Sequence, residues 1–494
     1  MTALPSQLVS PGTLAQRLAG ATLVSIALLL AVLDAVGAFL SSNACAILLF
    51  AVLATIAFAI HKTPGGLTSL IGLFFVGTIL WVAPRPLIAL VTGDDEMYTL
   101  LFGQMAAPRG EDLYHLLAFW TIGIASLYGG YFLFFSPTSL NLKPLSHQAR
   151  LYCERSFAFA FIVVAILLPL LAEKRFVAFA EGGYYALYVN QAESSFSLLP
   201  LLGYLCPALF ALAVILDQKK YSRLMVVAVT CYALCGILFG RRMEVGTWLL
   251  VALWHTSAIR GKPIRLGRLL IGFAAAGFAF QWIEMMRTDS DAIETIFLAF
   301  FTSQGVIFMI PALSWQLPVP PLHTILGSLL SIRHVYRLLG IGSIGTANIL
   351  DYVSAQSGPA LFESGNGLSS TGYLDIFFLS GGIILLYALG CGLVGFLLGR
   401  WEARSAQSRV ALFLLCVSLQ SIFFVQRSSI FTVTSQVVYL SFFMALTYVL
   451  HRLLNLLRAN EMHAEAVRDT HQPALGVLPC LSSDATAIQV ATNV

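Results

Sequence analysis

The sequence predicts an all-α, polytopic transmembrane helical bundle of about twelve spans, interrupted by one long, partly helical loop on the outer face. Three observations carry that prediction. Hydrophobic residues make up 58% of the 494 positions and charged residues only 11%, and the mean hydropathy is +0.84. A soluble domain carries roughly 25% charged residues, so this chain is built for a solvent other than water. Unbroken apolar runs of about 20 residues recur, the length that crosses about 30 Å of hydrocarbon as helix. The runs are continuous, whereas the strands of a membrane barrel would alternate.

The spans fall near residues 19–40, 44–60, 66–92, 113–135, 156–173, 198–216, 222–240, 244–259, 266–283, 372–399, 410–427 and 430–451. Positive charge sets their direction. With the N-terminus inside, the short basic loops Asp217–Arg223, Arg260–Arg268 and Arg400–Arg409 all fall on the inner side. Both termini are therefore expected in the cytoplasm. The first eighteen residues lack a basic start and a small-residue cleavage site, so the first span is expected to remain as an anchor. Residues 1–283 then form an N-terminal bundle, 284–371 a long outer loop, 372–452 the C-terminal helices and 453–494 an unpatterned, disordered tail. Within the loop, Ile296–Ile310 is apolar but too short for an easy crossing, which favours a re-entrant or surface helix. The Pro318-Val-Pro-Pro321 run breaks the chain before a helical stretch near Ile325–Leu339. Scattered cysteines form no disulfide framework and no metal spacing, so neither metal nor cofactor is expected. The net charge of +4 is spread over the loops and follows topology, and no nucleic-acid partner is expected.

The outer face collects the chemistry. Arg241 and Arg242, at the junction of two apolar spans, either snorkel to the interface or clamp an anionic head group. Arg333 and Arg337 share one helix face at i, i+4 spacing and could grip a diphosphate, or simply rest on anionic lipid heads. Between them, His334 has the ordinary pKa for acid–base work near neutrality. Arg287 lies beside Asp289-Ser-Asp291, an acidic pattern that helix capping explains better than a cation site. Asp351 and Glu363 are further carboxylates of the loop. The run Ser364-Gly-Asn-Gly-Leu-Ser-Ser-Thr-Gly372 suits either a phosphate cradle at a helix N-terminus or ordinary turn-and-cap chemistry. Asp375 follows just inside the next span, where a charge is costly unless used. Arg427 sits in the tight turn before the last span. Asp34 and Arg85 are further intramembrane or interfacial charges, with no partner that the sequence can name.

Taken in order, the Gly-Arg-Arg turn, the long outer loop, the Gly-Asn-Gly-Leu-Ser-Ser run, Tyr373-Leu-Asp375 followed by Phe-Phe-Leu-Ser-Gly-Gly382, and Arg427-Ser-Ser429 resemble the Wzy-type O-antigen and polysaccharide repeat-unit polymerases of bacterial inner membranes. The likeness covers roughly Cys231 to Ser429. It departs from the family where Asp375 stands for a frequent Glu, and where Gly-Arg-Arg-Met stands for Gly-x-Arg-Gly. The resemblance implies a glycosyltransferase that moves a growing chain en bloc from undecaprenyl diphosphate onto an incoming lipid-linked repeat at the periplasmic face. Arg241, Arg242, Arg287, Arg333, Arg337 and Arg427 would then bind diphosphate. His334, Asp375, Glu363 and Asp351 would be the candidate bases. A polysaccharide chain-length regulator is an implied partner, beside the bilayer itself. Two other classes compete. An O-antigen ligase would transfer finished polymer to lipid A core with similar chemistry, and a transporter or flippase would show inverted repeats and helices broken near the midplane.

Overall fold

The computed structural model describes residues 11–93, 98, 108–135, 141–189, 198–238, 242–262, 264, 271–272, 275, 277, 305–314, 317–329, 349–357 and 370–471. Most of those residues are helical, with no strand among them. By internal contacts the chain divides into two compact units, Met1–Met444 and Ala445–Val494.

The helices are α1 (Pro11–Ala35), α2 (Ser42–His61), α3 (Leu70–Trp81), α4 (Pro84–Thr92), α5 (Glu111–Phe134), α6 (His147–Val189), α7 (Leu198–Leu216), α8 (Lys219–Leu238), α9 (Arg242–Trp254), α10 (Ile310–Ser314), α11 (Leu322–Leu329), α12 (Ile349–Ser357), α13 (Gly372–Leu379), α14 (Ile384–Ser405), α15 (Arg409–Phe424) and α16 (Phe431–His471). Among the described residues seven helices are long and apolar enough to cross a membrane, or eight if the α3–α4 pair, bent by 49°, is one span. The bend falls where Pro84 opens α4 and denies the preceding turn a backbone donor. Leu202–Leu216 and Val245–Ile259 are shorter apolar helices. The expected span at 266–283 lies almost wholly outside the described residues.

Three boundaries differ from the sequence reading. The α6 helix runs on to Val189 through Pro169, so Lys174 and Glu181 extend a helix where a loop was expected. The last helix continues to His471, well past the expected start of the tail. The expected helix near Ile325–Leu339 begins earlier, at Leu322; its portion beyond Leu329 lies outside the described residues.

The bundle is organised around α5, on which nearly every residue from Leu113 to Phe132 is buried. Apolar burial does not hold lipid-dissolved helices together, so close packing must, and small residues permit it. The α5–α14 contact shows how. A Cβ on Gly395 would collide with the Leu127 carbonyl, and one on Gly130 with the Gly392 carbonyl. Similarly, a Cβ on Gly20 of α1 would stand 2.9 Å from Leu133 N. Farther along the α5–α14 pair, the Tyr131 hydroxyl donates to Glu402 Oε2 at 2.5 Å. Asp34 does have a partner. Its Oδ1 lies 2.8 Å from His115 Nδ1, bridging the end of α1 to the start of α5.

The largest departure concerns the expected span at 372–399. It is two helices, α13 and α14, separated at Ser380–Ile383, where Gly381 and Gly382 adopt φ of 65° and 77°. Only glycine takes that conformation at little cost. The two helices fold back on one another. Phe377 lies 5.8 Å from Tyr387 between ring centroids, and a Cβ on Gly390 would meet Ile376 at 2.7 Å. Gly372 and Tyr373 reach the level of Val394 and Leu398. Thus α13 is a short re-entrant arm whose N-terminus lies deep beside the middle of α14.

In the second unit, Arg452 Nε donates to the Tyr448 hydroxyl at 3.0 Å, with the guanidinium 5.4 Å from the Tyr448 ring centroid.

Candidate functional site

The re-entrant arm delivers Asp375 to a junction with the turn between α15 and α16. Thr371 caps α13 by accepting from the Tyr373 N–H, and Asp375 occupies the first turn, where the helix dipole favours negative charge. Asp375 is fully buried. Its Oδ2 accepts from the Ile430 N–H at 2.7 Å. Among the described residues its Oδ1 has no hydrogen-bond partner, and neither does the buried Ser370 Oγ. The Ser370 and Ser429 hydroxyls flank the carboxyl. A buried carboxyl oxygen left open in this way is costly, and such groups concentrate where a ligand or a reaction uses them.

The turn opposite is a 3-10 segment, Val425–Arg427, held from within. Buried Gln426 donates through Nε2 to the Phe74 carbonyl at 2.9 Å and to Thr78 Oγ1 at 2.7 Å. Thr78 in turn bonds the Tyr128 hydroxyl at 2.8 Å. This chain of contacts ties the turn to α3 and α5 and fixes the position of the next residue, Arg427, which is half-buried and partnered. Replacing Gln426 by leucine should strip donors from buried acceptors and destabilise the protein by about 1–3 kcal/mol. Thermal unfolding of the purified variant measures this; an unchanged midpoint would mean that the turn is held by something else.

The site is recessed. The Tyr373 ring packs 5.4 Å from that of Trp120, and Gln426 reaches Tyr128 through Thr78. At about 1.5 Å per residue, those positions lie about 14 and about 25 Å along α5 from Glu111. The long loop also contributes a wall at this depth. Trp120 Nε1 donates to the Phe308 carbonyl at 2.8 Å, and the two rings stack.

Of the residues singled out from sequence, Asp375 is therefore bonded through Ile430 N–H to the segment that follows the Arg427 turn. Asp351 does not share this junction in any described contact. It sits buried and partnered in the first turn of α12. That helix is anchored by Ile349 N–H to Ser328 Oγ at 2.8 Å and by the Tyr352 hydroxyl to the Pro318 carbonyl at 3.0 Å. Burial holds the Tyr352 phenol above its ordinary pKa. Arg242 opens α9, but its side chain, like Arg241, Arg287, Arg333, His334, Arg337, Glu363 and the Asp289–Asp291 pair, lies outside the described residues. Sequence reasoning missed Gln426, Thr78 and Tyr128. Their signal was faint: three uncharged polar side chains in apolar surroundings. Among the described residues, no group of three or more His, Cys, Asp or Glu is placed to hold a metal.

A carboxyl with one open oxygen can take a proton from a hydroxyl. A nearby arginine can meet charge developing on a leaving group. Comparison with known proteins adds a family to this chemistry. No curated protein and no solved structure matches the chain. The family described as O-antigen polysaccharide polymerase Wzy matches residues 21–456. That range contains five of the seven candidate spans whole and most of the first and last, and it includes both Asp375 and the Arg427 turn. The chain belongs to the Wzy family of O-antigen polysaccharide polymerases, polytopic membrane proteins that join repeat units into O-antigen.

Proposed function

We propose that this chain polymerises undecaprenyl-diphosphate-linked oligosaccharide repeats at the periplasmic face of the bacterial inner membrane, with both termini in the cytoplasm. The observation that supports the reading best is the fully buried Asp375 carboxyl near the Arg427 turn, whose Oδ1 has no hydrogen-bond partner among the described residues. In the transfer step the acceptor sugar hydroxyl attacks the anomeric carbon of the nascent chain. Its proton passes to the Asp375 carboxylate. The bond from that carbon to the diphosphate oxygen breaks, and undecaprenyl diphosphate departs with the negative charge. Arg427 meets that charge, and guanidinium suits it because it stays ionised and binds phosphate in a bidentate manner.

Arg241, Arg242, Arg287, Arg333 and Arg337 are assigned to the remaining diphosphate contacts, and His334, Glu363 and Asp351 stand as alternative bases to Asp375. A chain-length regulator is the proposed protein partner. The reading is tested by reconstituting the purified protein with lipid-linked repeats. A ladder of polymers on lipid diphosphate is expected. Transfer of preformed polymer to lipid A core without elongation would instead make the chain a ligase. In the same assay Arg427→Ala should slow elongation by roughly a hundredfold, the usual cost of one charge-stabilising donor. A normal ladder from that variant would remove Arg427 from the site.

A further inference from the structure

Immediately beside the junction lies a cavity of about 270 Å³. Its walls are Phe74 and Leu127 from the inner helices, Gly372 and Tyr373 from the arm, and Val394 and Trp401 among the residues of α14; Val425, Ile430 and Val433 close it from the α15–α16 side. We propose that this cavity holds the first two isoprene units, counted from the diphosphate, of the substrate's hydrocarbon tail. The inference rests on the reading of a lipid-diphosphate substrate and adds where the tail enters and how much of it the protein grips.

Four observations carry it. The lining is apolar, so water gains nothing there, and a dry cavity of this kind takes hydrocarbon. The cavity also adjoins the polar site. Gly372 and Tyr373 belong to the turn that carries Asp375, and Val425 and Ile430 bracket Arg427, so a head group at the junction would place its tail at the cavity.

The third observation is a way in. Leu397, on the cavity wall, is 54% exposed and continues a stripe of exposed Leu386, Leu389 and Leu393 along α14. In a membrane that stripe faces acyl chains, so the cavity opens sideways to hydrocarbon. The fourth is the contrast with the other face of the same helix. There α14 meets α5 with glycine against backbone and no room for a methyl group. On this side the same helix stands off from its neighbours and leaves a half-open space large enough for hydrocarbon.

Volume sets the length. A cavity of about 150 Å³ accommodates benzene, so the present one suits roughly ten carbons, or two isoprene units, with the rest of the tail in the bilayer.

The test uses full-length protein in nanodiscs, with inorganic diphosphate, geranyl diphosphate (two units) and farnesyl diphosphate (three units) as competitors of polymerisation. Geranyl diphosphate should inhibit at concentrations at least tenfold below inorganic diphosphate, because it adds buried apolar contact. Farnesyl diphosphate should improve on it by less than about threefold, since its third unit lies outside the cavity. Val394→Phe fills the cavity from one wall and should raise the KM for lipid-linked repeats and, in the elongation that remains, abolish the geranyl advantage over inorganic diphosphate. Val433→Phe fills it from the opposite wall and guards against a folding defect in either variant.

In nanodiscs made with brominated acyl chains, geranyl diphosphate should restore the fluorescence of Trp401, read as the difference from Trp401→Phe. Persistent quenching would assign the cavity to bilayer lipid and overturn the inference. So would equal inhibition by geranyl and inorganic diphosphate, or an undiminished geranyl advantage in both filled variants. If instead the wild type made no polymer from lipid-linked repeats, the functional reading itself would fail. Geranyl quenching relief at Trp401 reads tail binding separately from that outcome.

Discussion

Replacing Asp375 by asparagine is expected to slow elongation by about 10²–10⁴-fold, the range that a positioned general base supplies. The substitution is nearly isosteric, and the new amide oxygen can still accept from the Ile430 N–H that Asp375 Oδ2 now engages at 2.7 Å. The turn between α15 and α16 should therefore stay in place, and the purified variant should unfold at close to the wild-type temperature. What it loses is the capacity to take a proton at Oδ1, which has no hydrogen-bond partner among the described residues. The initial rate of ladder formation by the reconstituted enzyme measures the effect. A rate within about threefold of wild type would move the base elsewhere, with His334 and Glu363 next in line.

The second large effect concerns the fold. Gly395→Ala should separate α5 from α14, because the added methyl would run into the Leu127 carbonyl. Backbone cannot swing aside as a side chain can, so the cost should be about 1–3 kcal/mol or more. Gly246→Ala in α9 is the matched control. A Cβ there meets nothing within 4 Å, and alanine is the better helix former by about 0.5–1 kcal/mol. Melting curves of the two purified variants should move in opposite directions. Equal shifts would show that helix propensity, not the close α5–α14 contact, governs stability.

These two positions also show what could be read from the chain. Asp375 was visible because a carboxylate beside an apolar run is expensive, and Arg427 for the same reason. That Asp375 is bonded to the segment following the Arg427 turn was not visible, since nothing local joins positions so far apart in sequence. Asp34 makes the same point: its partner His115 is 81 positions away. Hydropathy found α1, α2, α5, α15 and the start of α16 because each crosses without interruption. It failed at 372–399, where an apolar hairpin and an apolar crossing have the same composition. The one local trace of the reversal was Gly381-Gly382, and paired glycines are common enough in membrane helices to pass unnoticed. Likewise α6 was cut short because charged residues after Glu173 read as loop, although a helix can carry them beyond the hydrocarbon.

The depth of the junction has a consequence for how long a polymer this enzyme can make. If bonds form about 14–25 Å down a shaft beside α5, only the last few sugars of either substrate ever touch the walls. The remainder of a growing chain stands in water above, felt by nothing near Asp375. On that geometry the described walls meet only the ends that react, and counting repeats would fall to the proposed chain-length regulator.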